Sequence, residues 1–232
     1  MIIAIDGPGA SGKSTTAKYL SKAFNLIYLD TGAMYRAVAF YINENSPLPP
    51  SESGGITEKA LLEISDFSFL DNIEIEFFSI NEENRIYLNG NDITEGIRNP
   101  KITKLSSIVA TIKEVRQKLV AEQRRLSENR SVILDGRDIG TVVFPDADYK
   151  FFLTASLDVR ATRRYEELIE RGMKVSFEDI KEELSWRDKN DCERLEAPLR
   201  KADDAIEIDT STLSIQQQVN VIIELINKQI RE

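Results

Sequence analysis

The stretch Gly7-Pro8-Gly9-Ala10-Ser11-Gly12-Lys13-Ser14 constrains this chain more than any other. It matches G-x-x-x-x-G-K-[ST], the P-loop, a motif that needs a strand before it and a helix after it. Both are legible. Ile2 to Ile5 is a short apolar run that reads as a buried strand, and Ala17, Leu20 and Phe24 recur at helical spacings of three and four. Glycines let the backbone wrap closely around phosphates. Successive N–H groups then form a concave anion site, to which the helix start adds partial positive charge. Gly7, Pro8, Gly9, Ala10, Ser11, Gly12, Lys13, Ser14 and Thr15 are therefore the expected triphosphate-binding set. Lys13 would supply a full charge to the β- and γ-phosphates from an exposed cradle outside the core. Ser14 would offer its hydroxyl to Mg²⁺. The alternative, a chance glycine turn, is hard to reconcile with the strand and helix on either side.

Composition narrows the chemistry. With 41% hydrophobic and 30% charged residues in 232, the chain suits one substantial core with room for inserted subdomains. It contains no histidine, which excludes an imidazole general base, a Ser-His-Asp triad and imidazole metal ligands. Cys192 is the single cysteine, so no disulfide forms within the chain, and a lone thiol without histidine is a poor nucleophile. The net charge of −9 argues against non-specific nucleic-acid binding. An anionic substrate must then be held by locally clustered arginines. No apolar run reaches membrane-spanning length and no charged segment leads into an apolar one at the start, so the expectation is a cytoplasmic protein with no membrane partner.

Taken in order, Leu26-Ile27-Tyr28-Leu29 reads as a second buried strand. Asp30-Thr31-Gly32 leads into a helix marked by Met34, Val38 and Ile42, with Arg36 in its first turn. Positive charge at a helix start opposes the macrodipole. Arg36 is therefore either a solvated surface group or, as expected here, a phosphate ligand near the P-loop. Ser46 to Gly55 has loop composition, and Glu58 to Ile64 is helix-like. Ile73, Ile75 and Phe77 alternate with Glu74 and Glu76. A polar turn at Asn81 to Asn84 and a return strand at Arg85 to Asn89 complete a small hairpin, read as an insertion in an α/β chain. Leu105, Val109, Ile112, Val115 and Leu119 mark one long helix or two consecutive ones, with Ser106, Ser107 and Arg116 on or near it.

Val132-Ile133-Leu134 is a third buried strand ending in Asp135-Gly136-Arg137-Asp138. An apolar strand ending in Asp, in a P-loop chain, suits a carboxylate that holds hydrated Mg²⁺. Ligands in open α/β sheets sit at the carboxyl ends of strands, which favours a site over a salt-bridged turn. Tyr149 to Leu153 and Ala205 to Ile208 are the remaining strands. Between them lie two charged helices, one with Arg160, Arg163 and Arg164, the other with Trp186, Arg187, Asp191 and Arg194. Arg187, Asp191 and Arg194 share a helix face. By spacing alone, that face reads equally well as a solvated surface with an ion pair of little worth or as a binding face. Ile215, Val219, Ile222, Ile226 and Ile230 make the last helix a core-packing element only.

At this point the whole chain resembles the bacterial cytidylate kinases. The matching stretches are IDGPGASGKST, LDTGAMYR, LNGNDITEGIR, SSIVATIKEVR, DGRDIGTVVFPDA and WRDKNDCERLEAPL. The P-loop is shared by many kinases; DGRDIGTVVFPDA and the hairpin insertion are far more specific. The resemblance implies an α/β P-loop kinase with a five-stranded parallel sheet flanked by helices, a small inserted hairpin subdomain and a helical lid. Its core would comprise 1–30, 128–157 and 200–232, its nucleoside-monophosphate-binding region 31–127, and its lid 158–199. The resemblance assigns Thr31, Arg36, Arg137 and Arg194 to the acceptor phosphate, Arg187 and Asp191 to the sugar, and Ser107, Arg116 and Asp138 to the cytosine. Lys13, Arg137, Arg187, Arg160 and Arg164 would be catalytic, and Ser14 and Asp135 would hold the metal. Two departures stand out: Thr31 replaces the commoner Ser, and Asn190 stands where some relatives carry a lid arginine.

The implied reaction moves the γ-phosphoryl of ATP to CMP or dCMP, within pyrimidine nucleotide metabolism, with Mg²⁺ present and the enzyme working as a monomer. The acceptor phosphate has a second pKa near 6, so it is already anionic and needs no general base. Another P-loop kinase acting on UMP or AMP would keep the loop and lose the base-reading set. A nucleotide-dependent switch reading guanine would usually carry N-K-x-D, and Asn227-Lys228-Gln229-Ile230 lacks the Asp.

Overall fold

The computed structural model describes residues 1–45, 56–80 and 83–231. The loop expected at Ser46 to Gly55, part of the turn expected at Asn81 to Asn84, and the side chain of Ile230 lie outside the described residues. The chain forms two compact units, 1–30 with 127–232, and 31–126.

The first unit is built on a parallel sheet of β1 (Ile2–Asp6), β2 (Ile27–Asp30), β6 (Val132–Gly136), β7 (Tyr149–Thr154) and β8 (Ile206–Asp209), in the order β2-β6-β1-β7-β8. Parallel strands covered on both faces read as continuous apolar runs. Ile3, Ala4 and Ile5 and likewise Val132, Ile133 and Leu134 are wholly buried. The helices are α1 (Lys13–Phe24), α6 (Leu157–Glu170), α7 (Phe177–Glu193) and α8 (Ile215–Arg231). Ala17 and Leu20 of α1 and Val219, Ile222 and Ile226 of α8 share one core with Ile3, Ile5, Ile133, Phe151 and Leu153. Ser156 and Ser176 cap α6 and α7 by accepting from Val159 N and Asp179 N. Ala161, Leu168, Ile180 and Leu184 form a separate small core between those two helices.

The sheet order places the functional loops. The chain leaves β1 toward β2 on one side and later returns to β7 on the other, so β1 is the topological switch point. Its carboxyl end pairs with that of β6, Ile5 opposite Asp135 and Asp6 opposite Gly136. At Gly7 the chain turns out of the sheet at φ +144, where an added Cβ would lie 2.0 Å from the Leu153 carbonyl oxygen. Only glycine fits there.

The second unit holds α2 (Thr31–Asn45), α3 (Glu58–Leu62), α4 (Pro100–Val109), most of α5 (Lys113–Ser127), and an antiparallel sheet of β3 (Ile75–Ile80), β4 (Glu83–Leu88) and β5 (Asn91–Asp92). Its own core gathers Met34, Ala37, Val38, Leu61, Ile75, Ile86, Leu105, Val109 and Leu119. Two expectations change here, the hairpin and the place of Arg36, and of the two readings of the long apolar pattern the structure has the second. The hairpin is a three-stranded sheet, because Asn89 and Gly90 take positive φ and turn the chain back for β5. The long apolar pattern is two helices: α4 is capped by Asn99, whose side chain accepts from Lys101 N, and α5 starts after a break at 110–112. Helix α2 begins at Thr31, which places Arg36 in its second turn, where the macrodipole argument is weaker.

Gly7→Ala is expected to destabilise the protein by at least about 3 kcal/mol, because backbone strain and a backbone clash add. Urea unfolding monitored by circular dichroism measures this; a loss below about 1 kcal/mol would show that the loop can relax.

Candidate active site

The first turn of α1 carries no acidic residue and no side-chain cap, and its cap residue Gly12 is left-handed at φ 92. The P-loop packs around its own lysine. Lys13 Nζ donates to Pro8 O at 2.6 Å and to Ser11 Oγ at 3.4 Å. Lys13 is only 5% exposed, so the expected open cradle is corrected to a buried one. Burial pushes the ammonium down to about 7, helped by Arg137 and Arg187 and opposed by Asp135 and Asp6.

Asp135 at the end of β6 is gripped from two sides. Ser14 Oγ donates to Oδ2 at 2.6 Å and Tyr28 OH donates to Oδ1 at 2.8 Å. Burial raises the Asp135 pKa, Asp30 adds to this, and Lys13 and the two hydroxyls oppose it. A buried carboxylate beside a P-loop hydroxyl is an oxygen-only donor pair suited to Mg²⁺. Among the described residues no group of three carboxylates could form a full cage. Mg²⁺ fits such a site because it completes its shell with waters and nucleotide phosphates.

A second network runs through the loop after β6 and the end of α7. Arg137 Nε donates to Asp191 Oδ2 at 2.7 Å. Arg194 Nη1 lies 3.9 Å from Asp191 Oδ1, and its Nη2 lies 3.5 Å from Asp138 Oδ1. Arg194 Nε also donates to Ala197 O at 2.8 Å. Burial alone would raise the Asp191 carboxyl, but Arg137, Arg187 and Arg194 together hold it below its ordinary value. Asp191 and Arg194 are buried and Arg187 is half-buried, so this is not a solvated helix face with a weak ion pair. Arg194 itself stands just past the last turn of α7, in extended backbone. A Cβ on Gly9 would stand 3.8 Å from Arg137 Nη2 and 4.0 Å from Arg187 Nη1, which brings both guanidinia to the P-loop.

Of the other expected lid arginines, Arg160 reaches the backbone of the loop with its guanidinium. Its Nη1 donates to Gly9 O at 3.3 Å, its Nε to Ala155 O at 2.9 Å and its Nη2 to Asp188 Oδ2 at 2.7 Å. Arg164 pairs with Glu167 on its own helix at 2.7 Å. In the second unit, Thr31, Ser107 and Arg116 are buried and Arg36 is half-buried. The Arg116 guanidinium lies over the Tyr35 ring, 5.7 Å from its centroid, and Nη1 donates to Ala110 O at 3.3 Å.

Sequence reasoning missed the groups that brace these residues. Gln218 of α8 is wholly buried. Its Oε1 accepts from Thr16 Oγ1 at 3.0 Å and lies 2.7 Å from where a Gly12 Cβ would be. Helix α8 thus supports the P-loop as well as packing the core. The buried Thr210, after β8, donates its hydroxyl toward Ser11 O at 3.1 Å and accepts from Arg163 Nη1 at 3.0 Å. Asp6 accepts from Ile139 N and Gly140 N, each at 2.8 Å. The only signal for Asp6 was a carboxylate closing an apolar strand.

Burial pushes the Asp6 carboxyl up to about 7, against the two amides that favour its charged form. The folded protein therefore keeps a proton between about pH 4 and 7 that the unfolded chain has released. Stability that Asp6 confers at low pH is lost as pH rises through that window. Relative to Asp6→Asn, the wild type should lose up to about 4 kcal/mol from pH 4 to 7.5. Denaturant unfolding of both proteins across this range measures the difference; a difference independent of pH would contradict the shifted carboxyl.

The cytidylate kinase family model matches residues 3–228. A cytidylate kinase of Halalkalibacterium halodurans is 44% identical over 230 residues, covering 99% of each chain. One from Fusobacterium nucleatum is 45% identical over 228 residues, covering 98% of each. In fold, the chain is similar to a crystal structure of an uncharacterized protein from Eubacterium ventriosum, with a TM-score of 0.51 at 13% identity over 98% of each chain. The chain belongs to the cytidylate kinase family.

Proposed function

We propose that this protein transfers the γ-phosphoryl group of ATP to CMP or dCMP. The observation that carries the reading is the ionic chain from Asp138 through Arg194 and Asp191 to Arg137, whose guanidinium stands beside Gly9 of the phosphate loop. It joins a carboxylate suited to a base with cations suited to phosphates, all on the P-loop unit.

The P-loop amides and Lys13 bind the donor phosphates, and Ser14 and Asp135 would hold Mg²⁺, which when bound would neutralise phosphate charge. The acceptor phosphate is its own nucleophile, so the chain's contribution is alignment and charge stabilisation by Lys13, Arg137, Arg187 and the arginines of α6. Thr31, Arg36, Arg137 and Arg194 take the acceptor phosphate, Arg187 and Asp191 the sugar, and Ser107, Arg116 and Asp138 the cytosine. Residues 31–127 serve as the acceptor-binding region, 158–199 as the lid and the remainder as the core. Lid closure excludes water that would otherwise hydrolyse ATP. The protein works in the cytoplasm as a monomer, apart from nucleic acid and membrane; among its described residues no helix is long and apolar enough to cross a membrane.

Base choice follows from hydrogen-bond polarity. The Asp138 carboxylate accepts from the cytosine amino group, and faces a carbonyl oxygen when uracil takes its place. Repulsion and unpaired buried groups then act together. kcat/KM should favour CMP over UMP by at least about a hundredfold, roughly 2.7 kcal/mol. Asp138→Ala should cut CMP turnover strongly and shrink the ratio. A steady-state panel of all nucleoside monophosphates with ATP measures both. Comparable use of UMP would move the reading to a broader pyrimidine kinase, and preference for AMP would overturn it.

A further inference from the structure

Asp138 begins a single π turn, Ile139–Val143. Its carbonyl accepts from Val142 N at 2.9 Å and from Val143 N at 3.2 Å. An Asp at such a start ordinarily folds its carboxylate onto the first amides of its own turn. Here Asp138 makes no such bond. The second amide of the turn, Gly140 N, which such a cap would take, instead donates to Asp6 Oδ2, and Ile139 N just before it donates to Asp6 Oδ1, both at 2.8 Å and across more than 130 residues of chain.

Asp6 can do this because it is fixed. It is the last residue of the central strand, in register with Gly136 on one side and Phe152 on the other. The next residue is Gly7, packed so closely on the Leu153 carbonyl that no side chain fits there. On the receiving side, a Cβ on Gly140 would stand 3.4 Å from Asp6 Oδ2 and 3.2 Å from the Lys150 side chain. A glycine there lets the turn seat closely against the carboxylate. π turns concentrate at functional sites, and this one carries Asp138.

We propose that Asp6 is a positioning residue for cytosine recognition: by capping the π turn from another strand, it relieves Asp138 of capping its own turn and leaves that carboxylate aimed at the base and Arg194. The inference rests on the reading of Asp138 as the base reader. Asp6 directly precedes the P-loop, and its two carboxylate hydrogen bonds go to the turn that follows Asp138.

Asp6→Asn tests this with little change in shape. An amide can accept from one N–H and turns its own donors toward the other, so the turn loses half its cap and Asp138 competes for it. Expected are a rise of about tenfold or more in KM for CMP, a fall of at least about tenfold in the CMP-to-UMP ratio of kcat/KM, and a KM for ATP within about twofold of wild type. Loss of ATP affinity with the ratio intact would overturn the proposal and make Asp6 a brace of the phosphate loop alone. Asp138→Ala is measured in parallel. If that variant collapses the ratio while Asp6→Asn leaves it unchanged, the positioning role fails and base reading by Asp138 stands. If neither variant moves the ratio, both fail. Hydrogen exchange on the wild type does not depend on the variant folding. The Ile139 and Gly140 amides should be protected like those of β1 and β6, and exchange as fast as exposed loop amides would overturn the proposal.

Discussion

Crowding of buried positive charge is the constraint around which the first unit is arranged. Lys13 lies nearly out of solvent, near enough to Arg137 and Arg187 that they add to burial in weakening its hold on its proton. Like charges close together in a dry environment separate unless something holds them. The structure supplies fixed partners: Pro8 O for Lys13, Asp191 for Arg137 and Asp138 and Asp191 for Arg194. Asp135 and Asp6 act on Lys13 at longer range. What results is a rigid set of cations whose repulsion a polyphosphate would relieve. Preorganisation of that kind costs stability in the free protein and lowers the cost of reaction.

That cost explains how much of the fold is spent on bracing a loop of eight residues. Gln218 reaches the loop from the last helix, Thr210 from the turn after the last strand, and Arg160 from the first helix of the expected lid. These contacts span most of the chain's length, so the phosphate loop is complete only when the C-terminal elements have docked. The apolar buried face of α8 is interrupted by a buried amide at the position that meets Gly12. A hydrocarbon there would leave the Thr16 hydroxyl without its acceptor.

The parallel strands were legible because strands buried on both faces must be apolar throughout, and Ile3 to Ile5 and Val132 to Leu134 are. The P-loop and the pairing of its Ser14 with Asp135 at the end of β6 were within reach because the motif and the strand-closing carboxylate are local patterns. The braces were not. Gln218 and Thr210 look like ordinary polar residues until the fold brings them to Thr16 and Ser11. Asp6 could not be paired with Ile139 and Gly140 by any local pattern, and a π turn has no periodicity of its own to read. Burial of Lys13 was misjudged because motif geometry says nothing of how closely the surrounding guanidinia pack. The break between α4 and α5 was ambiguous because the apolar spacing of Val109, Ile112 and Val115 continues through it.

The central claim is that Lys13 is held at a cost that donor phosphates repay. Unfolding free energies of wild type and Lys13→Met, each with and without tripolyphosphate, test it most directly. Without ligand, the variant should be more stable than wild type by at least about 1 kcal/mol, since an apolar side chain of similar length replaces a crowded, buried ammonium. Tripolyphosphate should stabilise the wild type clearly and the variant little. A Lys13→Met protein that is less stable than wild type without ligand, or that gains as much from tripolyphosphate, would contradict the account.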